Sequence, residues 1–255
     1  METFRAELHV HTLLSPCAEV EMIPPLIVQE ALERGINLIA ITDHNASGNV
    51  AAVQKAAALR NTATGANLVV LPGMELQSRE EVHILCLFDN LDQLETLQIE
   101  VNRELPLLEN NIEHFGEQFV VDETGEFIRR EPRLLITSVD LSFEQVVRKV
   151  TRLGGLAVPA HVDRKAYGLI ENLGFIPLDV EVEALEISRH LKPNEARRKF
   201  PQLNSYPLIQ GGDVHRLEEF LGANEIHVES ATIAEIRLAI QNAEGRSLTV
   251  QGGRY

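Results

Sequence analysis

Residues 8–22 read LHVHTLLSPCAEVEM. Two histidines, His9 and His11, stand two positions apart in an apolar run. Side chains alternate between the faces of a strand, so both point the same way. A strand that only fills a core has little use for two imidazoles on one face. The pattern of an apolar run meeting a polar end recurs along the chain. IAITDHN ends on Asp43 and His44, VVLPGMEL on Glu75, LAVPAHVDR on His161, and LIQGGDVHR on Asp213 and His215. His83 sits early in its own run, EEVHILCLF. Six of the nine histidines fall in these contexts.

The runs alternate with helical patterns, which predicts an α/β fold with a largely parallel sheet. Strands are expected at 7–12, 37–42, 68–71, 82–88, 155–159, 184–187, 207–210 and 225–228. Pro24 and Pro25 suit a helix start, and LIVQEALERG ends on Gly35. SFEQVVRKVTRLGG pairs Ser142 with Gln145 in a capping box, and TIAEIRLAIQNAEG repeats the design with Thr232 and Glu235. The rhythm breaks over 92–132. An acidic helix is expected from Asp92 to about His114, then a β-hairpin around residues 123–125 in EQFVVDETGEFIRRE. This is read as an excursion from the main body, a lid or an interface. With no linker-like tract and no repeat, residues 1–255 are taken as one domain.

In a barrel of parallel strands, C-terminal strand ends meet on one rim, where active sites sit. Imidazoles converging with carboxylates there suit a borderline transition metal, and buried charge must be paired or metal-bound. A lone buried histidine is ordinarily a hydrogen-bonded core residue. Six of them following apolar runs, together with several acids, are hard to explain as packing. Cys86 reads as core, and His114 and His227 as surface or structural residues. His190 is ambiguous, and Glu186 fits a site-facing or a structural role equally.

Bulk properties set limits. The chain has 255 residues, 44% hydrophobic and 24% charged, as in an ordinary globular protein. No apolar run is long enough to span a bilayer, and the N-terminus lacks the pattern of a signal peptide. Two cysteines do not make a disulfide framework, so a reducing cytoplasm is expected. A net charge of −15 argues against a generic polyanion-binding surface, so long nucleic acid is an unexpected partner. Local cationic sites are still allowed, because metal ions bring their own charge.

The order of motifs is distinctive: H-x-H, T-D-H, G-x-E, an isolated His, P-A-H, then G-D-x-H. From His9 to His215 it resembles the polymerase and histidinol phosphatase (PHP) family. The resemblance implies a distorted (β/α)7 barrel and a metal-dependent phosphoesterase, histidinol-phosphatase-like, with two to three divalent ions of zinc, manganese or iron. It implies that His9, His11, Glu75 and Asp213 hold one ion. Glu75 would bridge to a second ion held by His83 and His161, and His44 and His215 would hold a third. Catalysis would then depend most on Glu75, Asp213 and His161. Asp43 would orient a ligating histidine. The chain departs from the family at Cys17, where histidinol phosphatases often place a third histidine. A thiolate could complete the third site and bias it toward zinc or iron; alternatively Cys17 is packing, and Glu19 or Glu21 supplies the ligand.

The expected chemistry is hydrolysis of a small phosphoester by a metal-bound hydroxide at a di- or trinuclear site. Arg164, three residues after His161, has a planar fork suited to phosphate; Arg189, Lys192 and Arg216 are further candidates. One alternative is a nucleotide phosphatase or single-strand 5′–3′ exonuclease. Only 5% aromatic residues and no basic cluster beyond EARRKF argue for little of the stacking track that such an exonuclease needs. Another is a non-catalytic metal-binding module, disfavoured because nearly every expected ligand is present. A barrel amidohydrolase is a remote rival, since no lysine stands at a matching strand end.

Overall fold

The apolar runs form strands and the capped stretches form helices in a computed structural model that describes residues 1–177 and 180–251. The first half comprises β1 (Glu2–Val10), α1 (Pro24–Glu33), β2 (Leu38–Ile41), α2 (Val50–Thr64), β3 (Val69–Gln77) and β4 (His83–Leu87). The excursion follows: α3 (Leu91–Glu104), α4 (Ile112–Phe115), β5 (Phe119–Val121), β6 (Phe127–Arg130) and α5 (Phe143–Arg152). Then come β7 (Leu156–Pro159), α6 (Leu169–Leu173), β8 (Leu185–Ser188), α7 (Pro193–Lys199), β9 (Leu208–Gly211), β10 (Asn224–Val228), α8 (Ile233–Ile240) and β11 (Ser247–Val250).

Seven strands form one curled sheet in the order β11–β10–β1–β2–β3–β4–β7, a half-barrel consistent with a TIM-like fold. The parallel pair β8–β9 stands across its opening. On one side the amide of His11 donates to Val214 O at 2.9 Å and that of Val214 to His9 O at 3.0 Å; on the other, Val162 N donates to Glu186 O at 2.9 Å. β1, β2 and β3 are parallel, but β4 runs against both β3 and β7, and β10 against both β1 and β11, which corrects the expectation of a largely parallel sheet. Among the described residues no helix is long and apolar enough to cross a membrane.

Two apolar layers follow from strand alternation. Ile39, Ile41, Met74, Leu76, Ile84, Cys86, Leu185 and Ile187 face the surrounding helices. Leu38, Ala40, Leu71, Leu85, Leu87, Leu156, Val158, Ala184 and Ile209 form the other layer, which α8 covers with Ile233, Ile236 and Ile240. The inner layer therefore ends in an apolar plug at one end and leaves the other end for polar side chains.

The eight expected strands are all present, with shifted ends. β3 extends through Pro72 and Gly73, a pair that reads as a break, so Glu75 lies within the strand and not just after it. β11 escaped the pattern because it is a four-residue edge strand with no fully buried face. The Ser142–Gln145 capping box forms. At α8 only half of its counterpart does: Thr232 accepts from the amide of Glu235, whose own carboxylate is engaged by Arg246.

The expected helix from Asp92 to His114 is corrected. α3 stops at Glu104, because Leu105 precedes Pro106 and is held extended, at φ −74° and ψ 128°. Only the single turn of α4 follows. The hairpin β5–β6 is as expected and is pinned to the main body. Phe119 N donates to Leu13 O at 3.2 Å, and the Asn49 side chain bonds both Phe119 O and Val121 N at 3.0 Å. The excursion thus lies beside the loop that carries Ser15 and Cys17.

Candidate metal centre

A register shift between Glu7 and Val10 places one extra residue in β1 opposite β2. Leu8 belongs to the inner apolar layer and Val10 to the outer one, so the bulge has turned the strand over between them. His9 and His11 consequently share the inward face above the plug. Their Nε2 atoms lie 3.1 Å apart and both rings are fully buried.

Partners behind each ring fix which nitrogen faces the cluster. Glu186 Oε1 stands 2.9 Å from His9 Nδ1, so Nδ1–H donates backward and Nε2 looks inward. Ser15 Oγ gives its hydrogen to Asp43 Oδ1 at 2.8 Å and accepts from His11 Nδ1 at 2.9 Å. Asp43 thus orients a histidine, as the resemblance implies, but through Ser15. It is itself held by Thr12, through N and Oγ1, both at 2.7 Å.

Glu75 stands at the centre of the cluster. Its Oε1 is 2.8 Å from His83 Nδ1 and 3.2 Å from both His9 Nε2 and His161 Nε2; its Oε2 is 2.9 Å from His44 Nδ1 and 3.4 Å from His11 Nε2. His83 reaches this end because β4 is reversed: its first residue lies opposite Gln77 near the end of β3. Asp213 Oδ1 closes the group at 3.3 Å from His9 and 3.5 Å from His11. His161 and Asp213 sit in left-handed backbone conformations, φ 28° and 48°, and Asn45 after His44 is at 49°. Such strain in residues other than glycine gathers at functional sites.

The donor set fits a metal. The Nε2 atoms of His9 and His11 and Oδ1 of Asp213 lie 3.1–3.5 Å apart and leave a point about 2 Å from each, the length of a zinc–nitrogen or zinc–oxygen bond, with Glu75 Oε1 3.2 Å from His9 and Oε2 3.4 Å from His11 at its side. Glu75 Oε2, which approaches His44 Nδ1 outside hydrogen-bond geometry, and His161 Nδ1 are buried without a hydrogen-bond partner. Three sets of converging donors overlap here: His9, His11 and Asp213; His11, His44 and His215; and His44, Glu75 and His83. The third set crosses the grouping implied by the resemblance, in which His44 belongs with His215 and His83 with His161.

Cys17 is an exposed residue, but its thiol faces His44 and His215. Burial of the sulfur pushes the thiol up, and the two imidazoles outweigh that and bring it down to about 5. This is the thiolate character a ligand needs. Cys86 is core as expected, and burial pushes its thiol up. The centre opens into a cavity of about 610 Å³ lined by Cys17, Arg164, Tyr167, Arg189, His190 and Arg216, among others. Arg164 pairs with Asp213 Oδ2, and Arg189 donates to Gly212 O, so both guanidinium groups flank the mouth. Lys192 is not among the lining residues. His227 lies away from the centre, near Thr3 on β10 and β1, and His114 packs on Phe115.

Four contributors carry weak sequence signals. Glu186, for which the sequence left a site-facing and a structural role equal, faces the site: its Oε1 meets His9 Nδ1 and the amide of His161. Glu7 accepts from Gly212 N at 2.9 Å, Leu221 N at 3.0 Å and Gly222 N at 3.1 Å, and so anchors the loop before Asp213. Burial raises its carboxyl to about 7 despite those bonds. Gly211 and Gly212 are small by necessity: a Cβ would lie 2.1 Å from Glu186 Oε2 at the first and 2.7 Å from Glu7 Oε2 at the second.

Without metal, the cluster is held by protons. Burial works against protonation of His9 and His44. Glu186, Glu75 and Asp213 around His9, and Cys17 and Glu75 beside His44, nevertheless raise both well above the ordinary 6.5. Burial likewise opposes ionisation of Glu75 and Asp213. The histidines, His83 and His9 foremost, hold both well below the ordinary 4.5 and 3.8. The share of His9 and His44 is complete below 6.5 and lost as pH rises through the raised folded values, whereas His83, lowered to about 4, works the other way below 6.5. The carboxylate share is present above 4.5 and lost as pH falls through the lowered ones. Cys17, lowered from 9.0 to about 5, adds stability as pH rises between those values, so the test uses Cys17→Ser: its chelated form is expected to lose thermal stability as pH rises above 6.5 through the raised value of His9, while the stabilisation given by added zinc grows, since fewer protons are displaced. Calorimetry of the chelated and zinc-loaded variant across that range checks both slopes; a chelated variant that gains stability with pH contradicts them.

No family model matches the chain. An uncharacterised protein of Bacillus subtilis, YqxK, is 29% identical over 113 residues, 42% of this chain and 29% of that protein. Among solved structures, the lesion-specific endonuclease Q of Pyrococcus furiosus matches 97% of this chain and 58% of its own, at 19% identity and a TM-score of 0.65. Endonuclease Q bound to a 27-mer duplex with an abasic lesion at its active site matches at 20% identity and 0.63, over 96% of this chain and 58% of that one. The chain thus spans less than three fifths of these endonucleases. A Bifidobacterium adolescentis protein provisionally assigned as a metal-dependent phosphoesterase matches over 83% of this chain and 87% of its own, at 17% identity and 0.52. At these identities the likeness is one of fold, and the DNA-bound relative bears against the expectation that long nucleic acid is refused.

Proposed function

We propose that this chain is a metal-dependent phosphoesterase of the PHP type, a distorted (β/α)7 barrel forming one domain over residues 1–255. The observation that carries the reading is the buried convergence of His9, His11, Glu75 and Asp213, with His44, His83 and His161 also within 3.2 Å of Glu75. The structural neighbours agree in reaction class, since an endonuclease and a phosphoesterase both break phosphoester bonds. His9, His11, Glu75 and Asp213 would hold one ion, Glu75, His83 and His161 a second, and His44, His215 and Cys17 a third. Divalent ions there would supply Lewis acidity toward a phosphoryl oxygen and make water nucleophilic near neutral pH. Glu186 and the Ser15–Asp43 pair keep the His9 and His11 rings turned inward. Arg164 and Arg189 grip phosphate oxygens at the mouth, where a planar guanidinium matches a phosphate edge. Glu7 keeps the loop before Asp213 in place.

A small phosphoester suits the cavity, whose lining carries cations on a protein of net charge −15. A second reading, nucleic-acid cleavage, is favoured by the DNA-bound neighbour. Elemental analysis of protein purified without chelators is expected to find two to three transition-metal ions per chain. The same preparation should hydrolyse small phosphomonoesters or diesters. Fewer than one ion per chain, with no turnover of either, would sink the proposal; cleavage of abasic duplex DNA alone would transfer it to the second reading.

A further inference from the structure

Tyr167 is not among the residues assigned to the metal centre, yet it lies against it. Its ring stacks on His83, with centroids 4.4 Å apart and planes 8° from parallel. Its backbone oxygen accepts from His83 N at 3.1 Å, so ring and main chain are set by the same residue. Its φ is 60°, a strained value for an aromatic residue. The loop is tight: a Cβ on Gly168 would lie 2.2 Å from Arg164 O. Despite this fixation, 43% of Tyr167 is exposed, and it lines the cavity with Arg164, Arg189 and His190. One face is covered by the imidazole, which leaves the opposite face and the hydroxyl for a ligand. A rigid ring beside two guanidinium groups presents a stacking surface next to a phosphate grip.

We infer that Tyr167 is a specificity-determining platform that stacks a planar heteroaromatic ring carried by the phosphoester, as a nucleobase is. The inference rests on the phosphoesterase reading and deepens it: the substrate class is a nucleoside phosphate, free or at the end of a strand. Stacking on an aromatic side chain is worth about 1–3 kcal/mol per base, so a ring-bearing ester gains about tenfold or more in affinity.

Adenosine 5′-monophosphate and ribose 5-phosphate test this, because they share the ester bond and differ by the base. The chain has no tryptophan and three tyrosines, so tyrosine emission reports ring stacking directly. With metal-loaded protein, the monophosphate is expected to bind about tenfold more tightly than the sugar phosphate and to quench that emission. KM should show the same preference. Tyr167→Phe keeps the preference, and Tyr167→Ala brings the ratio near one while metal content stays at the wild-type level. Equal affinities in the wild type, or a preference that survives Tyr167→Ala, overturns the inference. So does loss of metal in Tyr167→Ala, which would make the ring a prop for His83. A base preference in binding without turnover of either ester defeats the phosphoesterase reading alone. Competition by a single-stranded oligonucleotide at similar concentration assigns the base to a strand, and its failure assigns it to a free nucleotide.

Discussion

Asp213→Asn is expected to lower kcat/KM at least a thousandfold, about 4 kcal/mol of transition-state stabilisation. Asparagine is the informative replacement. Asp213 holds φ 48°, a conformation asparagine tolerates and alanine does not, so the amide isolates charge from backbone strain. The carboxylate faces His9 and His11 with Oδ1 and Arg164 with Oδ2. Removing the charge weakens the ion held by His9 and His11 and frees Arg164 from its partner. The variant should bind one ion fewer while its chelated form melts within a few degrees of chelated wild type. His161→Ala should lose comparable activity, because it takes a nitrogen 3.2 Å from Glu75 Oε1. Near-wild-type turnover by either variant at limiting metal would mean that the ligand set is misassigned.

Gly211→Ala should damage both the stability of the protein and its affinity for metal. It would place a Cβ 2.1 Å from Glu186 Oε2 at the end of β9. Glu186 has nowhere to go, since its Oε1 is shared by His9 Nδ1 at 2.9 Å and the His161 amide at 3.0 Å. Either the strand shifts or the carboxylate leaves His9. Overpacking costs about 1–3 kcal/mol, and breaking a buried charged contact adds to it, so a loss of about 3 kcal/mol is expected. Metal affinity should fall about 10–100-fold, because His9 loses the partner that turns its ring. Adding Glu186→Asp should return part of the stability by shortening the obstructing side chain, without restoring metal affinity. Denaturation with and without chelator, paired with zinc titration, reads both effects; an unchanged midpoint would show that Glu186 is free to move.

The convergence of the cluster residues was legible in the sequence, because imidazoles and carboxylates are polar exceptions beside apolar strands. His9, His11, His44, Glu75, His83, His161, Asp213 and His215 converge as the motif order implies. What stayed hidden was relational. Nothing in HILCL tells a forward strand from a reversed one, so the position of His83 at the start of its run finds its reason only in the reversal of β4. The bulge in β1 is likewise silent, since it depends on the register of β2. Glu186 and Ser15 act on His9 and His11 from distant or irregular segments, with no periodicity to mark them. Pro106, by contrast, was a readable stop signal against the long acidic helix.

The reversal of β4 also decides which parts of the chain can change over evolution. Leu87, at the end of β4, pairs with Leu156 at the start of β7, so a tight turn would have sufficed to thread the ring. Residues 88–155 form instead a topological handle that leaves and rejoins the ring at the same place. α3 begins beside Leu153, to which Gln93 donates at 2.8 Å, and runs to the loop after His44, where Gln98 meets Asn45 and Ser47; α5 brings the chain back. The helices of the handle are indispensable for burial, through Leu94, Leu97, Val101, Phe143, Val146 and Val150. Between them Leu105, Val120, Leu135, Val139 and Leu141 are buried as well, but the largely exposed residues 107–114 are under no such constraint and can lengthen, shorten or diversify without re-registering a strand of the main sheet. The turn at 78–82 has the opposite character: one inserted residue there could turn His83 to the outer face. Variation in the exposed part of the handle is thereby uncoupled from the geometry of the histidine and carboxylate cluster.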